Sequence, residues 1–220
     1  MREAVMIDER QDAAVVDRSR GAAPDGKAIE QVVLVDAAGN AIGTHDKATV
    51  HHEDTPLHLA FSCYIFDHQD RLLLTQRAFS KRTFAGVWTN SVCGHPAPGE
   101  DLRAAVMRRV RREVGVVIGM PRLVLADFSY YAEMDGVAEN ELCPVFVAHA
   151  LGGSAPRPAQ DEVEAFIWEP WSQFVQEVLS GERAVSVWCR EQLEALAALG
   201  DGPERWPDAN PALLPPAVRL

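Results

Sequence analysis

Two glutamates separated by one residue are the first candidates for chemistry in this sequence of 220 residues. Side chains at alternate positions of an extended chain point to the same side, so the carboxylates of Glu139 and Glu141 would face the same space. Two like charges held that close together require a cation or a proton between them. The pair therefore predicts either a metal site or a site of proton transfer.

Three of the seven histidines could supply further ligands to such a site, namely His51, His58 and His95. A single histidine is more often a solvated or core residue than a ligand, and that alternative stays open for each of them. Together with the two glutamates they form a mixed nitrogen and oxygen ligand set. Such a set suits manganese, zinc or magnesium and exceeds the four ligands of a closed structural zinc site.

The four cysteines have neither the CxxC pairs of a zinc site nor the density of a disulfide scaffold, so reduced thiols are expected. Cys63 and Cys143 lie in apolar, strand-like runs, which favours buried and inert thiols. Cys93 differs from them because it lies in a loop-like segment.

Five residues in the region from 94 to 116 stand at the spacing of the Nudix box, which reads G-x5-E-x7-R-E-U-x-E-E-x-G-U with U an aliphatic residue, so the region resembles that family. Arg109 and Arg112 replace two carboxylates that hold the magnesium cluster of Nudix hydrolases, which argues against hydrolysis. Arg109 also lies one helical turn from Glu113, and a surface ion pair is the alternative interpretation of these two residues. The matching positions are Gly94, Glu100, Arg108, Glu113 and Gly115.

Two short segments are more specific than this incomplete box. They are Thr-Asn-Ser-Val-Cys-Gly-His-Pro at 89–96 and Ala-Glu-Asn-Glu-Leu-Cys-Pro at 138–144. Together they resemble the type 1 isopentenyl-diphosphate isomerases, a divergent branch of the Nudix superfamily, and the resemblance runs from about Val32 to Trp188. It implies interconversion of isopentenyl and dimethylallyl diphosphate, in isoprenoid biosynthesis, by protonation and deprotonation through a tertiary carbocation.

The resemblance also implies roles for individual residues. A first metal ion, Mn²⁺, Mg²⁺ or Zn²⁺, would be held by the three histidines with Glu139 and Glu141. A second ion, Mg²⁺, would bridge Glu113 to the substrate diphosphate. Scattered cations are usually solvent-facing, but the resemblance implies that four of them bind the diphosphate, and guanidinium and ammonium groups suit that task. These four are Lys47, Arg77, Lys81 and Arg109.

For the proton transfers, the resemblance implies Cys93 and Glu141 on opposite faces of the alkene, with Tyr130 as a hydrogen-bonding partner of Glu141. Trp188 matches the position of an aromatic ring that stabilises the carbocation by about 1–2 kcal/mol. Ordinary core packing is the alternative for Trp188. Three other aromatic residues could equally line the pocket, namely Phe61, Phe84 and Trp88.

The elements that must position these residues are mostly strands. They are predicted over 29–36, 57–67, 71–76, 123–131, 141–150 and 164–168. The turn at 37–40 leads into a further short strand, and 57–67 forms a hairpin with 71–76. Valines and a leucine recur every fourth residue over 101–115, which predicts a helix with Asp101 as N-cap and Gly115 as its stop. Further helical patterns lie near 171–179 and 184–199. The sum is an α+β fold, a Nudix-like mixed β-sheet flanked by helices.

Composition limits the classes of protein and partner. A chain that is 47% hydrophobic and 24% charged can form one domain with a sizeable core. We expect a disordered tail at 1–28, a catalytic domain at 29–200 and a proline-rich C-terminal tail at 201–220. The net charge of -11 argues against nucleic-acid and anionic-membrane partners. The sequence contains neither an apolar signal core nor a run of about 20 apolar residues, which predicts a cytoplasmic enzyme.

The isomerase would take a small allylic or homoallylic diphosphate as its substrate. Two alternative functions remain. One is a Nudix-type diphosphate hydrolase, for which Gly94, Glu100 and Glu113 are the remaining motif. The other is a module that binds metal or diphosphate without turnover. Intact Cys93 and Glu141 argue against the second, because binding alone needs no thiol there. The sequence makes no prediction of the oligomeric state.

Overall fold

A computed structural model describes residues 30–152 and 155–220. The predicted N-terminal tail at 1–28 lies outside these ranges. In chain order the strands are β1 Gln31–Val35, β2 Ala41–Asp46, β3 His58–Leu59, β4 Phe61–Phe66, β5 Arg71–Arg77, β6 Trp88–Thr89, β7 Val92–Gly94, β8 Arg122–Leu125, β9 Ser129–Met134, β10 Val137–Leu142, β11 Val145–His149 and β12 Val163–Pro170. The helices are α1 Leu102–Glu113, α2 Trp171–Ser180 and α3 Val187–Leu199, followed by single 3₁₀ turns at Pro203–Arg205 and Pro211–Leu213. This arrangement confirms the predicted α+β class.

The strands form two sheets rather than the single sheet expected. One has five strands in the order β2-β1-β3-β10-β9, and the other has the order β12-β5-β4-β11-β8 with β6 beside β5 and β7 beside β4. Both sheets are mixed, because β10 runs parallel to β3 and β11 runs parallel to β4. The predicted hairpins of β1 with β2 and of β4 with β5 are confirmed.

Two predicted strands are interrupted where the chain passes from one sheet to the other. The run 57–67 breaks at Ala60, whose N–H donates to the carbonyl of Leu142 at 2.9 Å. The run 141–150 breaks beside it at Cys143 and Pro144, since a proline has no N–H with which to continue a ladder. The prediction of single strands over 57–67 and 141–150 is therefore wrong. The strand predicted over 123–131 is likewise divided into β8 and β9.

The helices cover both faces of the larger sheet. Alternate residues of β4 pack in opposite directions: Cys63 and Ile65 lie in one core cluster with α1, whereas Tyr64 and Phe66 lie in another with α2 and α3. Six consecutive buried residues in β4 follow from this two-sided cover.

Helix α1 begins and ends as its sequence predicts. The side chain of Asp101 accepts a hydrogen bond from the N–H of Ala104 at 2.9 Å. Gly115 has a φ of +65°, and the carbonyl of Arg157 lies 2.7 Å from the place where a Cβ would be. Only glycine fits this position without displacing backbone.

The C-terminal segment 201–220 is packed against the domain rather than free of it. Trp206 is 3% exposed, and the N–H of Ala209 donates to the carbonyl of Leu123 at 2.9 Å. The carbonyl of Arg219 accepts from the N–H of Leu102 at the start of α1. Its prolines prevent long regular elements, but they do not prevent packing. None of the helices within 30–152 and 155–220 has the length and apolar character needed to span a bilayer.

Candidate active site

Four potential metal ligands converge where the two sheets meet, and we call them the His/Glu group: His51, His58, His95 and Glu141. Each offers one atom, and these atoms all lie within 4.8 Å of one another. Nε2 of His95 lies 2.9 Å from Oε1 of Glu141 and 3.2 Å from Nε2 of His58. Two donor atoms at right angles on an ion with bonds of about 2.1 Å lie about 3 Å apart. The spacing therefore fits one metal ion.

Strand register brings this group together. His58 on β3 lies directly opposite Glu141 on β10, and His95 follows β7 by one residue. The carbonyl of Pro56 lies 2.8 Å from Nδ1 of His58, and because a carbonyl only accepts, that nitrogen must carry the proton. The lone pair on Nε2 then points into the group, as a metal ligand requires.

The electrostatics of the group also suit a cation. Burial lowers the pKa of His51 to about 3 and that of His95 to about 4, so both rings are neutral at pH 7. Burial opposes ionisation of Glu141, but the adjoining rings of His58 and His95 hold its pKa well below the usual range. Nε2 of His51 is buried and has no hydrogen-bond partner among the described residues. Two neutral imidazoles, one of them with an unpartnered nitrogen, and a carboxylate together fit a divalent metal ion.

Glu139 lies beside the group, on the same face of β10 as Glu141, as the spacing predicts. The hydroxyl of Tyr130 lies 2.7 Å from Oε2 of Glu139 and 2.8 Å from Oε2 of Glu141, so its single proton is shared between two acceptors. The other oxygen of Glu139 faces a guanidinium nitrogen of Arg77 at 3.6 Å. The structure thus turns Glu139 toward Tyr130 and Arg77, and its carboxylate lies outside the set of four convergent ligand atoms.

Cys93 lies on the short strand β7, not in a loop as its sequence suggests. Its Sγ lies 3.1 Å from Oδ1 of Asn90 and 3.3 Å from Oγ of Ser62, the residue opposite it on β4. Burial raises the pKa of the Cys93 thiol to about 12, although the hydrogen bond from Ser62 and the charge of Arg77 oppose the shift. The thiol is therefore protonated at neutral pH. A strand of three residues is too short for its alternation to be recognised in sequence.

The other three cysteines are buried free thiols, as predicted for Cys63 and Cys143.

Trp188 is a core residue, as one of the two interpretations has it, and its role at a carbocation stays a prediction. It is fully buried on α3, and its ring lies 5.0 Å from Phe84 and 5.3 Å from Tyr130, centre to centre. The guanidinium carbon of Arg77 lies 5.6 Å from the centre of the same ring. The ring is thus a core residue that also borders the side chains next to Glu141. Phe61 lies in the core cluster on the other face of the sheet.

The cations predicted to bind diphosphate are all paired with acidic or carbonyl groups. Lys81 and Arg109 both pair with Glu162, and Arg109 also pairs with Glu113 at 2.6 Å. We call these four residues the Glu162 cluster. Arg109 and Glu113 are 4% and 6% exposed, so the alternative of a surface ion pair is wrong.

Lys47 and Arg77 lie at the edges of this arrangement. Lys47 pairs with Glu30 at 2.7 Å, and its charge reaches both Glu162 and His95. Arg77 donates to the carbonyl of Thr83 at 2.9 Å. Two of the four cations thus contact Glu162, Lys47 acts on it through its charge, and Arg77 lies on the side of Glu139.

Glu162 is not among the candidate site residues predicted from the sequence. Burial opposes its ionisation, yet the charges of Lys81 and Arg109 lower its pKa to about 2. It lies in the turn before β12, in a chain with many exposed acids, and nothing in its spacing distinguishes it. Burial and the pairing with two cations are visible only in three dimensions.

Comparisons with known proteins agree with this architecture. Residues 56–189 match the family model described as a NUDIX domain. Among solved structures, DR0079 from Deinococcus radiodurans has a TM-score of 0.57 at 16% identity over 76% of this chain and 98% of its own. The MutT protein from Methanosarcina mazei Go1 has a TM-score of 0.52 at 20% identity, over 64% and 94%. Fold and family model together define a Nudix-domain protein.

Curated sequences narrow this class. An isopentenyl-diphosphate Delta-isomerase from Saccharopolyspora erythraea is 53% identical over 191 residues, which cover 86% of this chain and 97% of that protein. One from Rhizobium rhizogenes is 48% identical over 197 residues, covering 89% and 94%. The chain belongs to the isopentenyl-diphosphate Delta-isomerase family of the Nudix superfamily.

Proposed function

We propose that this protein is an enzyme that interconverts isopentenyl diphosphate and dimethylallyl diphosphate. The observation that carries the proposal is the placement of a protonated thiol, Cys93, and an ionised carboxylate, Glu141, at one site bordered by the ring of Trp188. The reaction needs one group that gives a proton and one that takes a proton. Membership of a family whose curated members bear the name of this activity supports the same conclusion.

Two metal ions belong to the proposal. The His/Glu group would hold Mn²⁺, Mg²⁺ or Zn²⁺, with Glu139 adjacent, and Glu113 would hold a Mg²⁺ at the substrate diphosphate. When bound, these cations neutralise the carboxylates around the site and the charge of the diphosphate. The donor set supports the first ion most directly, since a nitrogen of His51 is buried without a partner in the part of the chain that the structure describes.

The proton transfers start from the protonated thiol of Cys93 and the ionised carboxylate of Glu141. The thiol of Cys93 gives its proton to the terminal CH₂ carbon of isopentenyl diphosphate, which leaves a tertiary carbocation at the neighbouring carbon. Glu141 then takes a proton from the adjacent methylene, and the electron pair of that C–H bond forms the new double bond. The hydroxyl of Tyr130 donates to Glu141 and fixes the orientation of its carboxylate. After each turnover the Cys93 thiolate takes up a proton from solvent and the Glu141 carboxylic acid releases one. The substrate has then gained one proton and lost one, so atoms and charge balance.

A thiol with a raised pKa is a weak acid, so the carbocation must be strongly stabilised. The faces of Trp188 and Tyr130 lie next to each other and can each contribute about 1–2 kcal/mol by cation–π attraction in a dry site. Both residues are buried, which keeps water from attacking the cation. The diphosphate is held by Lys47, Arg77, Lys81 and Arg109, whose donors fit phosphoryl oxygens.

The site is poorly equipped for hydrolysis. Of the box carboxylates, Glu100 is held by two hydrogen bonds from Arg108, and Glu113 is buried against Arg109. The arginines at 109 and 112 take the places of the remaining two. A cluster of carboxylates that could hold several magnesium ions is therefore missing from this helix.

The proposal is tested by incubating metal-loaded protein with isopentenyl diphosphate in D₂O and following the products by NMR. Dimethylallyl diphosphate with deuterium in its methyl group is the expected product. Release of phosphate would instead identify a hydrolase. If the folded, metal-loaded protein binds the substrate and leaves it unchanged, it is a binding module and the proposal is wrong.

A further inference from the structure

The side-chain amide of Asn90 connects the proton donor of the site to its aromatic ring. We propose that Asn90 is a positioning residue that holds the thiol of Cys93 and the indole of Trp188 in a fixed relation; this inference rests on the proposed function. Oδ1 of Asn90 accepts from Sγ of Cys93 at 3.1 Å and from Nε1 of Trp188 at 3.2 Å. The hydroxyl of Thr89 donates to the same oxygen at 2.9 Å.

The orientation of this amide is fixed by its other end. Nδ2 of Asn90 donates to the carbonyl of Cys63 at 3.3 Å and to that of Val92 at 3.2 Å. Carbonyl oxygens only accept, and an indole N–H only donates, so the amide cannot be flipped without breaking the bonds to both carbonyls and to the indole. Asn90 is fully buried, and each of its polar atoms is used. A fully satisfied buried network of this kind enforces one arrangement of its members.

Three separate elements meet at Oδ1 of Asn90. Cys93 comes from β7, Trp188 from α3 and Thr89 from β6. A bond to the indole N–H fixes the plane of the Trp188 ring, and a bond to the thiol fixes the torsion angle of the Cys93 side chain. The distance and angle between the thiol and the ring face are thereby set by one amide.

A second contact holds the sulfur from another direction. Oγ of Ser62 lies 3.3 Å from Sγ of Cys93 and accepts from Nε2 of Gln192 at 3.0 Å. Gln192 lies one turn after Trp188 on α3, so the same helix reaches Cys93 through two hydrogen-bonded paths. Ser62 restrains the sulfur, whereas Asn90 alone among the described residues touches both the sulfur and the indole nitrogen.

The consequence for the reaction is geometric. The alkene must receive a proton from Cys93 while the resulting cation lies over an aromatic face, and an error of about 1 Å in such a placement can cost roughly 100-fold in rate. Loss of the amide should therefore lower kcat, whereas KM should stay largely unchanged, because none of the four cations assigned to the diphosphate is hydrogen-bonded to the Asn90 side chain.

The test compares Asn90→Leu, which keeps the size and removes the polar atoms, with Ser91→Ala. Ser91 is the adjacent residue, equally buried, and its hydroxyl makes two backbone hydrogen bonds, to Ile65 and Leu73, without touching Cys93 or Trp188. Asn90→Leu should lower kcat about 10- to 100-fold and change KM less than about threefold. Ser91→Ala should leave both within about threefold. Asn90→Asp keeps an acceptor oxygen and should recover part of the lost kcat.

A second measurement does not depend on turnover. The indole N–H resonance of Trp188, assigned with Trp188→Phe in ¹⁵N NMR spectra, should move in Asn90→Leu and stay in place in Ser91→Ala. If Asn90→Leu does not fold, Asn90→Ser removes the same acceptor with a smaller side chain and carries the same expectations.

Two failures are distinguishable. An active wild type whose kcat falls no further in Asn90→Leu than in Ser91→Ala overturns the positioning role, as does an unmoved Trp188 resonance. A folded, metal-loaded wild type without isomerase activity overturns the proposed function, whatever the variants show.

Discussion

The His/Glu group and the Glu162 cluster are neighbouring sets of buried polar side chains, and they differ in how their polar atoms are satisfied. In the His/Glu group, three imidazole nitrogens and a carboxylate oxygen converge, and Nε2 of His51 has no partner among the described residues. In the Glu162 cluster, both cations are already paired with carboxylates. An added cation would supply the partner that the first set lacks, whereas the second set is paired within itself and would have to exchange partners to bind an anion.

The largest expected effects separate metal binding by the first set from proton transfer by Cys93, which lies outside that set. Glu141→Gln should lose both the metal and turnover, because Glu141 faces the histidines with one oxygen and Tyr130 with the other. Cys93→Ala should keep the metal and lose turnover by roughly a thousandfold. Metal analysis by mass spectrometry and a product assay check both. Cys189→Ala, at a buried thiol on α3, is the control and should keep both properties.

The second prediction concerns the two arginines that replace box carboxylates. Arg109→Lys should raise KM about tenfold, because a lysine cannot bridge Glu113 and Glu162 with one planar fork and still offer donors to a diphosphate. Arg112→Lys should leave KM unchanged, since Arg112 is exposed and pairs only with the exposed Asp161 among the described residues. Equal effects of the two substitutions on steady-state kinetics would contradict the difference drawn between these positions.

Metal removal tests whether the first set depends on an added ion. An ion at about 100 times its Kd contributes about 2.7 kcal/mol, which corresponds to roughly 5–10 °C in Tm for a domain of this size. A chelator should lower the Tm by that amount, and His51→Ala should abolish this shift. His52→Ala, at the exposed neighbouring histidine, should preserve it. A chelator without effect on calorimetric Tm would show that the group is stable without a cation.

The smallest effect belongs to the second set and depends on pH. Because the pKa of Glu162 falls from the ordinary 4.5 to about 2, its ionised form stabilises the fold above pH 4.5, and this contribution disappears as pH falls toward 2. Glu162→Gln should therefore lose about 1–2 kcal/mol at pH 7, allowing for partial exposure, and nearly nothing at pH 2. Urea unfolding at several pH values measures the difference. Glu164→Gln, two residues further on and exposed, should show no such trend.

The two sets also differ in how far the sequence predicts them. Glu139 and Glu141 follow from strand alternation, and α1 follows from its spacing, cap and terminal glycine. His51, His58 and His95 needed the family resemblance, because nothing local brings residues so far apart in sequence to one point. Neither the local sequence patterns nor the family resemblance predicted the pairing of Glu162 with Lys81 and Arg109. A carboxylate in a loop has no periodicity, and the box motif does not include this position.

The missed parts of the fold have similar causes. Apolar content predicts that 57–67 and 141–150 are extended, but the point at which an extended run changes sheets depends on its partner, which lies elsewhere in the chain. Asn90 is not singled out by the sequence, yet every polar atom of its side-chain amide is hydrogen-bonded and its Oδ1 joins three elements. In both cases the deciding contacts are long-range.

The paired crossings of 57–67 and 141–150 also affect how the site is made during folding. Ser62 and Cys143 lie together although they are 81 positions apart, and the parallel pairing of β3 with β10 depends on the same distant match. Such non-local pairing is slow, because the chain loses the entropy of loop closure before any stabilising contact forms. The residues of the His/Glu group are brought together by this non-local pairing, so we expect metal uptake to be a late event in refolding.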